Sequence, residues 1–168
     1  NKTFTPDAVK AGQPSKVTFY FLNANLSDAT SLAFIDALPT GMFVASAPNT
    51  ATGCGGTLTA VAGATSVTFT GGTIPMAVGT TPGHCELSFD VVVPNPNVLI
   101  NTVPVGEVTS SQGPNIQAAE ATLNVTGLSP IAGAKSFDPT VVHGYLPPGN
   151  PIPAGGKSTV TITLNNPN

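Results

Sequence analysis

The acids, histidines and cysteines carry most of the reactive chemistry this chain has to offer, so their spacing comes first. The acids are Asp7, Asp28, Asp36, Glu86, Asp90, Glu107, Glu120 and Asp138, scattered along the chain. Hydrolysis by paired carboxylates needs two of them to converge, and no local motif brings two together. Taken singly, they read as solvated acids or as caps of turns. A Ser-His-Asp arrangement would have to use His84 or His143, yet no Gly-x-Ser-x-Gly stretch presents a nucleophile. His84 stands beside Cys85, but a tetrahedral metal site needs more ligands than that pair. No Asp-rich loop offers the oxygen cage that calcium requires. The expectation is therefore no catalytic residue, no metal and no cofactor within one unit. The chain reads as a non-enzyme, and a site between neighbouring units is the remaining place for an ion.

The cysteines carry a different chemistry. Cys54 lies in Thr-Gly-Cys-Gly-Gly and Cys85 follows Gly83-His84, each where a turn meets an extended run. Two cysteines in a Thr-rich, charge-poor β chain suggest a disulfide and an oxidising compartment. The alternative is two buried thiols in an intracellular protein. A closed loop of about 30 residues would contribute roughly 3–4 kcal/mol in the chain-entropy model.

Composition narrows the partners. Charged residues are 8% of the chain, the net charge is −3, and all five cations are lysines. Without arginine or a basic stripe, nucleic-acid binding is excluded. No apolar run approaches the ~20 residues of a membrane-spanning helix. The 18 glycines and 17 prolines follow no three-residue period, which excludes a collagen-like chain. With 40% hydrophobic residues, disorder is excluded as well.

The elements that must position these residues are strands. Val17, Phe19 and Phe21 alternate along 16–22, and the same period of two runs through 66–70 and 120–125. Further strands are expected over 31–37, 42–45, 58–61, 85–93 and 98–103, with a first strand ended by Pro6. Turns are expected at Pro39-Thr40-Gly41, Gly71-Gly72, Thr81-Pro82-Gly83 and Pro94-Asn95-Pro96-Asn97. Asp36 is expected to accept backbone N–H groups in the turn closed by Pro39 and Gly41. Asn23 and Asn25 are expected to bond backbone at the end of their strand. No stretch has a helical period, so the fold class is all-β, an antiparallel β-sandwich.

The chain also repeats itself. Lys2-Thr3-Phe4-Thr5-Pro6 recurs as Lys135-Ser136-Phe137-Asp138-Pro139, and Lys16-Val17-Thr18-Phe19 answers Thr159-Val160-Thr161-Ile162 at an offset of 143. Asn23-Ala24-Asn25 answers Asn166-Pro167-Asn168 at that same offset. Residues 1–127 thus read as one complete unit, 128–133 as a short junction, and 134–168 as the first strands of a second unit. A neighbouring copy could complete that second unit. An insertion between the two matched segments carries His143, Tyr145, Leu146 and Pro147.

The string Lys2-x-Phe4-x-Pro6, Gly12, Thr18, Asn23-x-Asn25, then Phe34-Ile35-Asp36-Ala37-Leu38-Pro39-x-Gly41, Cys54-Gly55-Gly56, Ile74-Pro75, Cys85 and Asn101-Thr102-Val103-Pro104-x-Gly106 resembles a bacterial and archaeal surface-protein repeat. That repeat is the Ig-like "conserved repeat" domain, the domain-of-unknown-function eleven group. The resemblance implies an Ig-like sandwich in long, tandem extracellular proteins, and it transfers no catalytic residue. The expected function is a structural module of a stalk, filament or sheath at the cell surface. Its expected partners are neighbouring repeats or copies of itself, joined head to tail or by strand addition. The alternative is an adhesin that binds a surface ligand through the 143–153 loop.

One covalent possibility accompanies that resemblance. Ig-like bacterial surface domains sometimes join a lysine to an asparagine through an isopeptide bond promoted by a buried acid. Lys2 and Lys135 hold equivalent first-strand positions, and Asn101 or Asn124 with Glu107, Glu120 or Asp36 would complete such a set. The competing reading is a lysine snorkelling from an edge strand, where its charge discourages aggregation.

Overall fold

The computed structural model describes residues 1–140 and 157–167. It divides into two compact units, Asn1–Gly127 and Leu128–Asn168.

The first unit is built of eleven strands in three hydrogen-bonded sheets. In chain order they are β1 (Lys2–Thr5), β2 (Ala8–Lys10), β3 (Pro14–Asn23), β4 (Ala29–Ala37), β5 (Phe43–Val44) and β6 (Ala51–Thr52). Then come β7 (Thr57–Thr59), β8 (Ser66–Ile74), β9 (Gly83–Val92), β10 (Asn97–Val103) and β11 (Ala119–Thr126). One sheet runs β1-β3-β9-β5, with β6 also paired to β9; a second runs β4-β8-β7; a third runs β10-β11-β2. Together they form an all-β sandwich, with antiparallel pairing everywhere except between β2 and β11.

Alternation builds the core. On β3 the inward positions are Ser15, Val17, Phe19 and Asn23, with Phe21 partly covered. The inward faces of β4, β8, β9, β10 and β11 add Leu32 and Phe34, Val67 and Phe69, Leu87 and Phe89, Leu99 and Val103, and Leu123 and Val125. All three sheets therefore feed one apolar cluster. Aromatic contacts run through its centre, with ring centroids 4.8 Å apart for Phe19–Phe34 and 5.8 Å for Phe34–Phe69.

Several local expectations need correction. Gly71-Gly72 is not a turn: both residues lie inside β8, where the pairing with β4 slips register. Gly71 has φ 74°, and a β-bulge absorbs a left-handed glycine while the strand continues. The strand expected over 42–45 is paired only at Phe43–Val44. The short strands β2 and β6 carry too few alternating residues to register as a period. Gly56 (φ +68°) sits where a Cβ would lie 2.5 Å from the Thr70 carbonyl oxygen, so the backbone approach beside Cys54 requires glycine.

The second unit contains β12 (Ala132–Thr140) paired antiparallel with β13 (Lys157–Asn165). β12 begins inside the stretch expected as a junction. Its register places Lys135 opposite Ile162 and Phe137 opposite Val160. In the first unit Lys2 lies opposite Phe19 and Phe4 opposite Val17. Val160, Ile162 and Leu164 are exposed, at 47%, 64% and 72%, whereas Val17 and Phe19 are buried. The 143–153 loop proposed for ligand binding, with His143, Tyr145, Leu146 and Pro147, lies outside the described residues.

Candidate functional site

Three polar side chains occupy inward positions of strands from three different sheets. On β1 the two-residue period that buries Phe4 also buries Lys2. On β4 it places Asp36 on the face of Leu32 and Phe34, and on β10 it places Asn101 between Leu99 and Val103. Lys2 is 2% exposed, and Asp36 and Asn101 are fully buried.

The three converge on one carboxylate. Lys2 Nζ donates to Asp36 Oδ1 at 2.8 Å and to Oδ2 at 2.9 Å. Asn101 Nδ2 donates to the same Oδ2 at 3.0 Å. Amine and carboxamide, sharing that oxygen, therefore lie within about 6 Å of each other. The amine also sits 4.8 Å from the centroid of the Phe19 ring, the residue opposite Lys2 in the β1–β3 register. Burial pushes the Lys2 ammonium down to about 8; attraction and hydrogen bonding from Asp36 oppose that shift without cancelling it. Asn101 Oδ1 is buried with no hydrogen-bond partner. An amine that gives up its proton readily, a carboxamide, and a carboxylate bonded to both are the components of a proton-assisted amide exchange.

Asp36 is thus not a cap of the Pro39–Gly41 turn. That turn is closed by backbone, Met42 N–H donating to the Pro39 carbonyl at 2.9 Å, while the Asp36 side chain points into the core. Nor does Lys2 snorkel; its amine ends on Asp36. The other members considered for this set stay apart: Asn124 and Glu120 are exposed, Glu107 is half-buried, and Lys135 belongs to the second unit, where it is exposed.

The remaining candidates separate. Cys54 and Cys85 form a disulfide, with Cα atoms 5.0 Å apart. It ties the loop before β7 to β9 inside the apolar cluster. His84 stacks on Tyr20 across the β3–β9 pair, with ring centroids 5.5 Å apart. Asp90 departs from the solvated reading given to the acids: it is 9% exposed and accepts a hydrogen bond from Asn49 Nδ2 at 2.7 Å. Asn23 bonds backbone at the strand end as expected, whereas the Asn25 side chain donates to Gln112 Oε1 instead. Asn23 Nδ2 donates to the Ser27 carbonyl, and Asn23 Oδ1 accepts the Asn25 N–H. Among the described residues no three His, Cys, Asp or Glu side chains group as metal ligands. No helix among the described residues is long and apolar enough to cross a membrane.

Residues 1–125 match the family model described as Domain of unknown function (DUF7933). The chain belongs to that family. The match is to this domain and not specifically to the eleven group that the motif order resembles. No curated protein matches the chain. Among solved structures it is similar to BcpA, the major pilin subunit of Bacillus cereus, at 10% identity and a TM-score of 0.51. The alignment covers 99% of this DUF7933 chain and 54% of the pilin, so the chain spans about half the length of that structure. At such identity the likeness shows the Ig-like sandwich fold alone.

Proposed function

We propose that this chain is a structural repeat module of a long extracellular surface protein that builds a stalk, filament or sheath, and that its work is mechanical rather than enzymatic. The observation that carries this reading is the repeated register. The Lys2–Phe19 and Phe4–Val17 pairs of β1–β3 return as Lys135–Ile162 and Phe137–Val160 of β12–β13. The second hairpin is the opening of another sandwich, and its exposed Val160, Ile162 and Leu164 correspond to the core side of the first. Modules in series, each beginning with the same hairpin, give a chain length without giving it an active site. The fold likeness to a pilin subunit supports the filament reading. The disulfide supports an oxidising, extracellular compartment. The partners under this reading are neighbouring repeats or further copies.

Gel analysis of surface-extracted material under full denaturation tests it. A very large chain, or an ordered ladder built on units of this size, is the expected outcome. Recovery from the cytosolic fraction with Cys54 and Cys85 reduced would overturn it.

A further inference from the structure

A buried ion pair with an added asparagine has a bland reading, a structural knot in the core. Energetics argue against leaving it there. Apolar side chains of similar volume at these three inward positions would hold the sheets together at least as well, because taking both charges out of water costs about what their attraction returns. Asn101 is a weak structural choice as well. One of its two polar atoms has no partner, a rare state for a buried group. A role for the carboxamide carbon accounts for the residue better than a role for its hydrogen bonds.

We propose that Lys2 Nζ and Asn101 Cγ become joined in the folded first unit by an amide bond, with Asp36 carrying the proton between nucleophile and leaving group. Asp36 Oδ2 touches both ends of that transfer, Nζ at 2.9 Å and Nδ2 at 3.0 Å. Asp36 takes a proton from the Lys2 ammonium, leaving a neutral amine and a neutral acid, a pair that costs less to form in dry surroundings than in water. The amine lone pair attacks Asn101 Cγ, so the Nζ–Cγ bond forms and the carbonyl electrons move to Oδ1. Asp36 passes its proton to Nδ2, the Cγ–Nδ2 bond breaks, and the electrons on Oδ1 restore the carbonyl. The second proton lost from Nζ leaves with ammonia as ammonium, and Asp36 is again a carboxylate. Nothing is oxidised or reduced, and no co-reactant enters. The new amide N–H remains available to donate to Asp36. Folding supplies the rate: strands of three sheets hold the groups together in a site closed to water, which turns a very slow bimolecular aminolysis into an intramolecular one.

The proposal stands on this cluster and does not depend on the filament reading. It is tested by the intact mass of the whole chain, unreduced and denatured. The expected mass is about 17 Da, one ammonia, below that calculated with the disulfide in place. Digestion should then give a branched peptide joining the segment of Lys2 to that of Asn101. Asn101→Ala and Asp36→Asn chains should show the calculated mass. A wild-type mass without the deficit overturns the proposal even if both variants fail to fold. So does a deficit that fragmentation maps to any other residue pair.

Discussion

Pulling on the first unit from its two ends separates a cross-linked sandwich from one held only by packing. With Lys2 joined to Asn101, tension passes from β1 straight to β10, and everything between them is bypassed. Only residues 102–127 can then unravel, about 26 residues or about 90 Å of extended chain at ~3.4 Å each. Asn101→Ala removes the acceptor carbon. The same pull then releases the whole unit except the loop held by Cys54–Cys85, whose sequence separation is 31, leaving about 96 residues or about 330 Å. The folded end-to-end distance is subtracted equally from both. Single-molecule force extension with handles at Asn1 and Gly127 reads this difference of more than threefold. A reductant supplies an internal control. The disulfide lies wholly inside the bypassed segment, so reduction should add about 105 Å to the variant and nothing to the wild type. Equal extensions for the two chains, or a wild-type extension that grows on reduction, would refute the reasoning.

The pH dependence of stability should also distinguish the two chains. In Asn101→Ala the Lys2 amine remains titratable, with its folded value lowered from 10.5 to about 8, chiefly by burial. The folded state then binds fewer protons than the unfolded one between those values. Stability should rise as pH increases through that window, by an amount on the order of 3 kcal/mol. The wild type, whose Nζ is an amide nitrogen, should lack this rise; urea unfolding at the two ends of the window measures it. Replacing Cys54 and Cys85 together by alanine should lower the unfolding free energy by about 3–4 kcal/mol, from the loop they close, read by denaturant midpoint. Phe69→Ala should cost about 3–5 kcal/mol, because the ring is fully buried against Phe34. Gly56→Ala should cost at least about 2 kcal/mol, since the residue is left-handed and its Cβ would meet the Thr70 carbonyl. Thermal melts of these two variants check both values.

Much of the sandwich was legible because burial on one face of a strand writes a period of two into the residues. Val17, Phe19 and Phe21, Val67 and Phe69, and Leu123 and Val125 needed no further information. Gly71-Gly72 misled because glycine pairs mark turns and bulges alike, and only the slipped β4–β8 register distinguishes them. The carboxylate cluster was half legible. Lys2 and Asn101 stand among several candidate lysines and asparagines, whereas Pro39 and Gly41 beside Asp36, also a candidate acid, point it to a turn. The deciding signal was present all the same. In Lys2-x-Phe4, Phe34-x-Asp36-x-Leu38 and Leu99-x-Asn101-x-Val103, a polar residue occupies a slot that alternation reserves for the core. One such residue in a strand is an accident or a bulge. Three of complementary chemistry, in three strands, are a site, but which strands face one another is set by tertiary pairing and not by local pattern.

The position of the cluster matters as much as its chemistry. β1, β4 and β10 belong to three separate hydrogen-bonded sheets, and no backbone ladder joins those sheets at the level of Lys2, Asp36 and Asn101. The Cys54–Cys85 disulfide and the Asn23 Nδ2–Ile74 carbonyl hydrogen bond tie sheets together elsewhere. Around this cluster the contact is with apolar side chains, and such packing is non-directional and yields when the layers slide under load. β1 is also an edge strand, four residues long and paired only with β3, so a pull on the chain at Asn1 reaches it first. A covalent link from that short strand to β10 would remove the peeling of β1 as a step in unfolding by force. A second apolar contact at the same place would leave that step intact. For a domain that only had to fold, three buried polar side chains at this point would be a poor choice. Under the proposed function, in which modules pass tension from one repeat to the next, they stand where a bond is most useful.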